Sequence, residues 1–400
     1  MIDLKKHIKV ALAYFLIVAV MGLLLRIYYV TPLPFNFKYL LHAHSHTALL
    51  GWIYLGLTTI IYKLFLTKAA KPKLYKRIFL FTNICILGML FTFPFQGYAL
   101  YSIIFSTLFL FATYWFAWFA IKYVPANFKN KFSWKLVKAS LWYLVISSLG
   151  PWAIGIVMAT LGTTSVWYKT SIYFYLHFQY NGWFILALLG ILFYFLEERN
   201  VKFRAADLQS FYLLLNFSVL FTLFLSVLWF KPPMVFYIFA LVGAVVQWQA
   251  FYELYGLLRN NFVSFKKAFS RQAILLLKTA GVLLVVKILM QFFSAFPYVA
   301  NLVFVLKVFV IGYLHMVFLG IVIPAMLVYL QYFKLLKIPK RFLQLYLFAF
   351  VTTELLIFYK ATAIWLGLPF FQDYYIYIAV LSTCFPLVIG GLFFYNIKNH

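Results

Sequence analysis

Charge is what this sequence has least of. Charged residues make up 10% of the 400, and only 7 are acidic, where a soluble protein carries about 25% charged residues. A chain this poor in charge cannot cover a water-facing surface, which excludes a soluble globular protein and a disordered one. The two cysteines, Cys85 and Cys384, exclude a disulfide scaffold, and both lie in apolar runs without metal-ligand spacing. Alternation of apolar and polar residues in stretches of about ten is missing, so a membrane β-barrel is excluded too. No low-complexity tract or long linker interrupts the chain. No small-residue cleavage site closes the first apolar run, which ends Leu25-Arg26-Ile27-Tyr28-Tyr29. That run therefore reads as a retained helix.

What is present is apolar: 66% hydrophobic residues, 49 Phe and 31 Tyr, with a mean hydropathy of +0.96. The expectation is an all-α membrane protein, a single integral membrane domain over 1–400. Twelve segments of spanning length lie at 9–30, 39–62, 78–97, 99–121, 137–160, 171–196, 209–230, 234–258, 273–296, 299–331, 342–366 and 372–396. Pro94 and Gly97 alone punctuate the turn between the third and fourth. The net charge of +27 suggests nucleic acid at first sight. The distribution argues instead for basic loops held at the cytoplasmic face. The tails and every second loop hold 26 of the 34 basic residues, for example Arg259, Lys266, Lys267 and Arg271 after the eighth segment. The opposite loops hold only Lys38, Lys169 and Lys231. This asymmetry predicts twelve transmembrane helices with both termini cytoplasmic, in a bacterial inner membrane, with lipid and not nucleic acid as the partner.

Histidines carry the next signal. His7 and His400 fall in the tails and are expected in water. His46 through Trp52 reads H-x4-G-W, His177 through Trp183 repeats it, and His315 to Gly320 reads H-x4-G. The three histidines are 131 and 138 residues apart, on the second, sixth and tenth helices. That spacing predicts a pseudo-threefold arrangement of four-helix units, with approximate repeats 1–135, 136–270 and 271–400. Glycine one turn inward lets a bulky neighbour or a flat ligand approach the helix. Imidazole is a good ligand for haem iron, copper or zinc, and equally often an interior histidine that is only hydrogen-bonded. His42 and His46 share a helix face, while His44 is offset by two residues. The metal candidates are His42, His44, His46, His177 and His315.

Twelve helices and histidines on the second, sixth and tenth resemble the haem-copper oxidase subunit I superfamily. The stretch His42-Ala43-His44-Ser45-His46 to Gly51-Trp52 also resembles the haem-copper membrane proteins of the nitric-oxide response (the NnrS type). The first resemblance implies that His46 is a low-spin haem ligand, with His42 or His44 in reserve, that His315 is a haem ligand and that His177 is a copper ligand. It departs from the family on the seventh helix, since residues 207–230 contain no histidine, and on the tenth, which has one histidine. A complete oxygen-reducing centre is therefore not expected. What the resemblance leaves is a bis-histidine haem from His46 and His315.

Arg26 is a candidate for a haem propionate or a snorkelling side chain. Lys307 and Lys360 read as snorkelling. Lys287 and Glu354 sit deep in the ninth and eleventh segments, where a Lys–Glu pair would solve both desolvation problems. Gln179 and Asn181 are placed to orient His177. Two function classes stay open. One is a haem- or copper-binding membrane protein for electron transfer, nitric-oxide response or metallocentre assembly, served by a redox partner or further subunits. The other is a secondary transporter, or a metal-ion transporter with His42, His44 and His46 as an outer capture site.

Overall fold

The computed structural model describes residues 2–68, 71–262, 269–369 and 371–399. Lys266, Lys267 and His400 lie outside them. Every regular element among the described residues is helical. Among the described residues, twelve helices are long and apolar enough to cross a membrane: α1 (Leu4–Ile27), α2 (Phe37–Leu66), α3 (Pro72–Gln96), α4 (Leu100–Tyr123), α5 (Phe132–Thr160), α6 (Val166–Glu198), α7 (Ala205–Phe230), α8 (Met234–Arg259), α9 (Arg271–Ser294), α10 (Lys307–Tyr332), α11 (Lys340–Leu366) and α12 (Tyr374–Lys398). The chain is an integral membrane protein. Large apolar side chains such as Phe91, Phe95, Leu387 and Phe394 are exposed, as lipid-facing residues must be.

Helix boundaries follow local chemistry. Asp3 caps α1 by accepting from the Lys5 and Lys6 amides, Asn36 caps α2, Ser165 caps α6 and Ser270 caps α9. These side chains satisfy amide donors that a helix start leaves open. Pro72 opens α3, where its missing N–H costs nothing. Gly97 stands between α3 and α4 at φ +60, and Gly367 ends α11 at φ +66, both in the left-handed half of the map where glycine is favoured.

Two expected boundaries move. The Asp3 cap starts α1 at Leu4, so His7 is in the helix and not in a solvated tail. It is buried, stacked on Phe79 with ring centroids 3.6 Å apart, and Nδ1 lies 3.4 Å from the Tyr75 hydroxyl. The tenth segment is not one helix. Leu306 at φ −93, ψ 74 separates a short helix, Pro297–Val305, from α10, so Lys307 begins the span instead of riding within it.

The chain forms two compact units. One consists of Met1–Pro125 and Met326–His400, the other of Ala126–Ala325. In the first, α1 packs on α2 and α12, α3 on α2 and α4, and α11 on α12. In the second, α5 packs on α6, α7 on α8, α8 on α9, and α9 on the middle of α10. The histidine-bearing α2 and α6 are the most enclosed spans. Their most apolar stretches are 94% and 89% buried, against 28% to 50% for the other ten.

Candidate functional site

The three H-x4-G motifs adopt one local structure. In each, α-helical bonding ends at the histidine and a π-helical turn follows: Thr47–Tyr54 after His46, Phe178–Phe184 after His177, and Met316–Val322 after His315. Helices α2, α6 and α10 then return to α-helical bonding. A π turn is rare and concentrates at functional sites; a further one, Tyr62–Leu66, ends α2, but the recurrence of three in equivalent sequence positions sets these segments apart.

The glycines of the first two motifs are filled by tyrosine. A Cβ on Gly51 would lie 3.0 Å from Tyr14 Cβ on α1, and one on Gly182 would lie 2.6 Å from Tyr143 Cβ on α5. The bulky neighbour, and not a flat ligand, occupies the notch at both positions. Each tyrosine then donates its hydroxyl to an asparagine: Tyr14 to Asn83 Oδ1 on α3 at 3.2 Å, and Tyr143 to Asn216 Oδ1 on α7 at 3.0 Å. The asparagine amides donate back to their own helices, Asn83 to Phe79 O at 2.8 Å and Asn216 to Tyr212 O at 2.7 Å. Sequence reasoning missed these pairs. The signal was the spacing, since Tyr143 follows Tyr14 by 129 residues and Asn216 follows Asn83 by 133, close to the histidine interval.

The histidines themselves divide. His46 Nδ1 lies 2.9 Å from the His42 carbonyl and His315 Nδ1 lies 2.8 Å from the Ile311 carbonyl, each four residues back. A carbonyl only accepts, so both rings carry the proton on Nδ1 and the lone pair on Nε2. At His46 the Tyr98 hydroxyl, in the turn between α3 and α4, donates to that lone pair at 3.2 Å. His177 is different: Nε2 donates to the Val219 carbonyl on α7 at 2.8 Å and Nδ1 accepts from Asn181 at 3.2 Å. Three residues beyond Val219 the helix tightens from α to 3₁₀, which rearranges the backbone bonding there. His177 is buried, with both nitrogens used inside the protein. Gln179 does not help orient it, because its amide donates to Ser147 on α5 at 2.9 Å.

His42 and His46 face the same aromatic pair. The His42 ring is 4.7 Å from Tyr98, and the His46 ring is 4.4 Å from Phe93. His44 turns the other way: Nδ1 donates to the Val18 carbonyl on α1 at 3.1 Å, and the ring lies across Gly22. The three do not form an outer cluster. Among the described residues, no group of three or more His, Cys, Asp or Glu side chains is placed to hold a metal ion.

The buried charges are handled locally. Lys287 is 1% exposed, and its ammonium donates to Gln291 on the same helix at 2.6 Å. Lys360 donates to the Tyr375 hydroxyl at 2.7 Å and sits over that ring. Arg26, half-buried in the last turn of α1, interacts electrostatically with Tyr29, Tyr374 and Glu354. Neither a scan of protein-family models nor a search of curated proteins finds a match to this chain.

Proposed function

We propose that this is a haem-binding membrane protein in which three four-helix repeats descend from an oxidase-like subunit I arrangement. Both termini lie on the cytoplasmic side of a bacterial inner membrane. His46 and His315 are each candidates for iron ligation, and Arg26 is a candidate partner for a propionate. One observation carries the reading: in both rings Nδ1 is committed to a carbonyl four residues back, at 2.9 and 2.8 Å. The bond at Nδ1 sets the tautomer whose lone pair is on Nε2, the nitrogen that would coordinate, and metal-bound histidines are oriented by just such a bond at the other nitrogen. An ion held by protein alone takes three or four side chains. Haem brings four nitrogens of its own and asks the protein for one or two, which suits described residues that hold no three-ligand group.

In this reading Tyr98 yields Nε2 of His46 when the ligand enters, and Phe93 packs beside the ring. His177 holds α6 to α7 and takes no part in coordination. Bound iron supplies reversible one-electron exchange, which fits electron transfer or a nitric-oxide response with a redox partner or further subunits. The seventh helix offers no histidine for copper, so oxygen reduction is not part of the proposal.

The test is the absorption spectrum of the purified chain from cells supplied with haem. A Soret band of low-spin form is expected, lost in His46→Ala and in His315→Ala and retained in His177→Ala. A colourless protein, or full haem retention in both ligand variants, would overturn the reading. It would turn attention to transport, the alternative that buried Lys287 and Glu354 favour.

A further inference from the structure

Glu354 is the third member of the series to which Asn83 and Asn216 belong. Asn83 follows Gly51 by 32 residues, Asn216 follows Gly182 by 34, and Glu354 follows Gly320 by 34. The neighbouring sequence agrees. Thr82 precedes Asn83 and Thr353 precedes Glu354, and each threonine hydroxyl donates to the carbonyl four residues back, at 2.8 and 2.7 Å. Tyr75 and Tyr346, both buried, stand eight residues before Asn83 and Glu354. The tyrosine side of the series changes as well. Tyr14 is the eleventh residue of α1 and Tyr143 the twelfth of α5, whereas those places on α9 hold Gly281 and Val282.

The third copy thus exchanges an amide for a carboxyl and removes the hydroxyl that would meet it. The outcome is visible in the hydrogen bonds. Asn83 Oδ1 and Asn216 Oδ1 each accept from a tyrosine. Glu354 is 8% exposed, and its Oε1 is buried with no hydrogen-bond partner. The charged group that acts on it electrostatically is Arg26 of α1, on which Tyr29 and Tyr374 act as well. The amides at this position in the other two copies have both ends hydrogen-bonded. A carboxyl adds one capability that an amide lacks, which is to take up and release a proton. A buried group retained at such expense marks a working site in a membrane.

We propose that Glu354 is a proton-binding site inside the membrane-spanning part of the protein. It binds a proton when set apart from Arg26 and releases it when the two charges pair. The step is one O–H bond made or broken on one carboxyl oxygen; no electron moves, and water supplies and receives the proton. The proton site needs no haem, and because Arg26 is also the proposed propionate partner its titration is read in the haem-free protein.

The experiment is an infrared pH titration of the full chain in lipid nanodiscs, in light and heavy water. The chain holds 7 acidic residues, so carboxyl bands are few. A deuterium-sensitive carboxyl band that titrates is expected in the wild type and absent from Glu354→Gln and Glu354→Asn. Arg26→Gln should move its midpoint, and Asp207→Asn should leave it alone. Persistence of the band in both amide variants, or no titrating band in the wild type, would overturn the proposal. If both amide variants fail to fold, Arg26→Gln decides: a moved midpoint supports the site and an unmoved one refutes it. Loss of haem binding in any of these variants tests the other reading and does not bear on this one.

Discussion

The hydroxyl of Tyr143 donates to Asn216 Oδ1 at 3.0 Å, and the amide of the same asparagine donates to the Tyr212 carbonyl at 2.7 Å. Asn216 therefore spends both ends of its side chain inside the protein and ties α5 to α7. Tyr143→Phe removes one bond and leaves Oδ1 unmet, which should cost about 0.5–1.5 kcal/mol. A double-mutant cycle with Asn216→Ala, followed by unfolding in detergent, should give a coupling of about 0.6 kcal/mol, the size typical of hydrogen bonds between membrane helices. A coupling of zero would mean that the bond contributes nothing.

Gly182→Ala should be worse than most glycine replacements in this chain. The added Cβ would lie 2.6 Å from Tyr143 Cβ, which is the fixed root of that side chain and cannot rotate away. Overpacking of this kind costs about 1–3 kcal/mol. Gly155→Ala, where nothing lies within 4 Å, is the control and should be neutral or slightly stabilising. Equal melting temperatures for the two variants would contradict the packing account.

His177→Phe keeps an aromatic ring, somewhat larger than imidazole, and deletes both hydrogen bonds. The Val219 carbonyl loses its side-chain donor, and Asn181, whose Oδ1 is already without a partner, loses its acceptor. The expected loss is about 1–3 kcal/mol, read as a lower melting temperature with haem content unchanged. His46→Ala should do the reverse, abolishing the haem spectrum while the melting temperature of the haem-free protein stays close to that of haem-free wild type.

Reporter fusions check the proposed orientation. A fusion after Asn130 should report cytoplasm, and one after Trp167 the opposite side, following the basic loops. The same side for both would break the twelve-helix alternation.

The spans were legible because spanning a bilayer demands about 20 apolar residues in a row, and no other requirement in the chain produces such runs. What the sequence hid has physical causes. Helices that are apolar all round show no stripe from which a change of helical pitch can be read, so the π turns after His46, His177 and His315 left no mark in the pattern. The break at Leu306 carries neither proline nor glycine; the residues there are Val305, Leu306 and Lys307. His7 was misread because its lysine neighbours suggested a wet tail, while the Asp3 cap pulls the segment into α1. The Tyr–Asn pairs involve residues common in membrane helices, and only their recurrence sets them apart. The histidine repeat was plain from spacing, but which ring could coordinate depended on hydrogen bonds no spacing reveals.

Each π turn acts as a spacer one residue long. An α-helix turns by about 100° and rises about 1.5 Å for each residue, so the part of α2, α6 or α10 before the π turn is set out of phase with the part after it by that step. The direction in which His46, His177 and His315 face thus depends on backbone register and not on side-chain packing alone. Deleting a single residue from Thr47–Tyr54 would let α2 run as an α-helix from Phe37 to Ile61, before its second π turn at Tyr62–Leu66, and would leave the apolar contacts of the part after the deletion in place. The cost would fall on aim: His46 would swing about a quarter turn away from Tyr98 and Phe93, in a protein that remains folded.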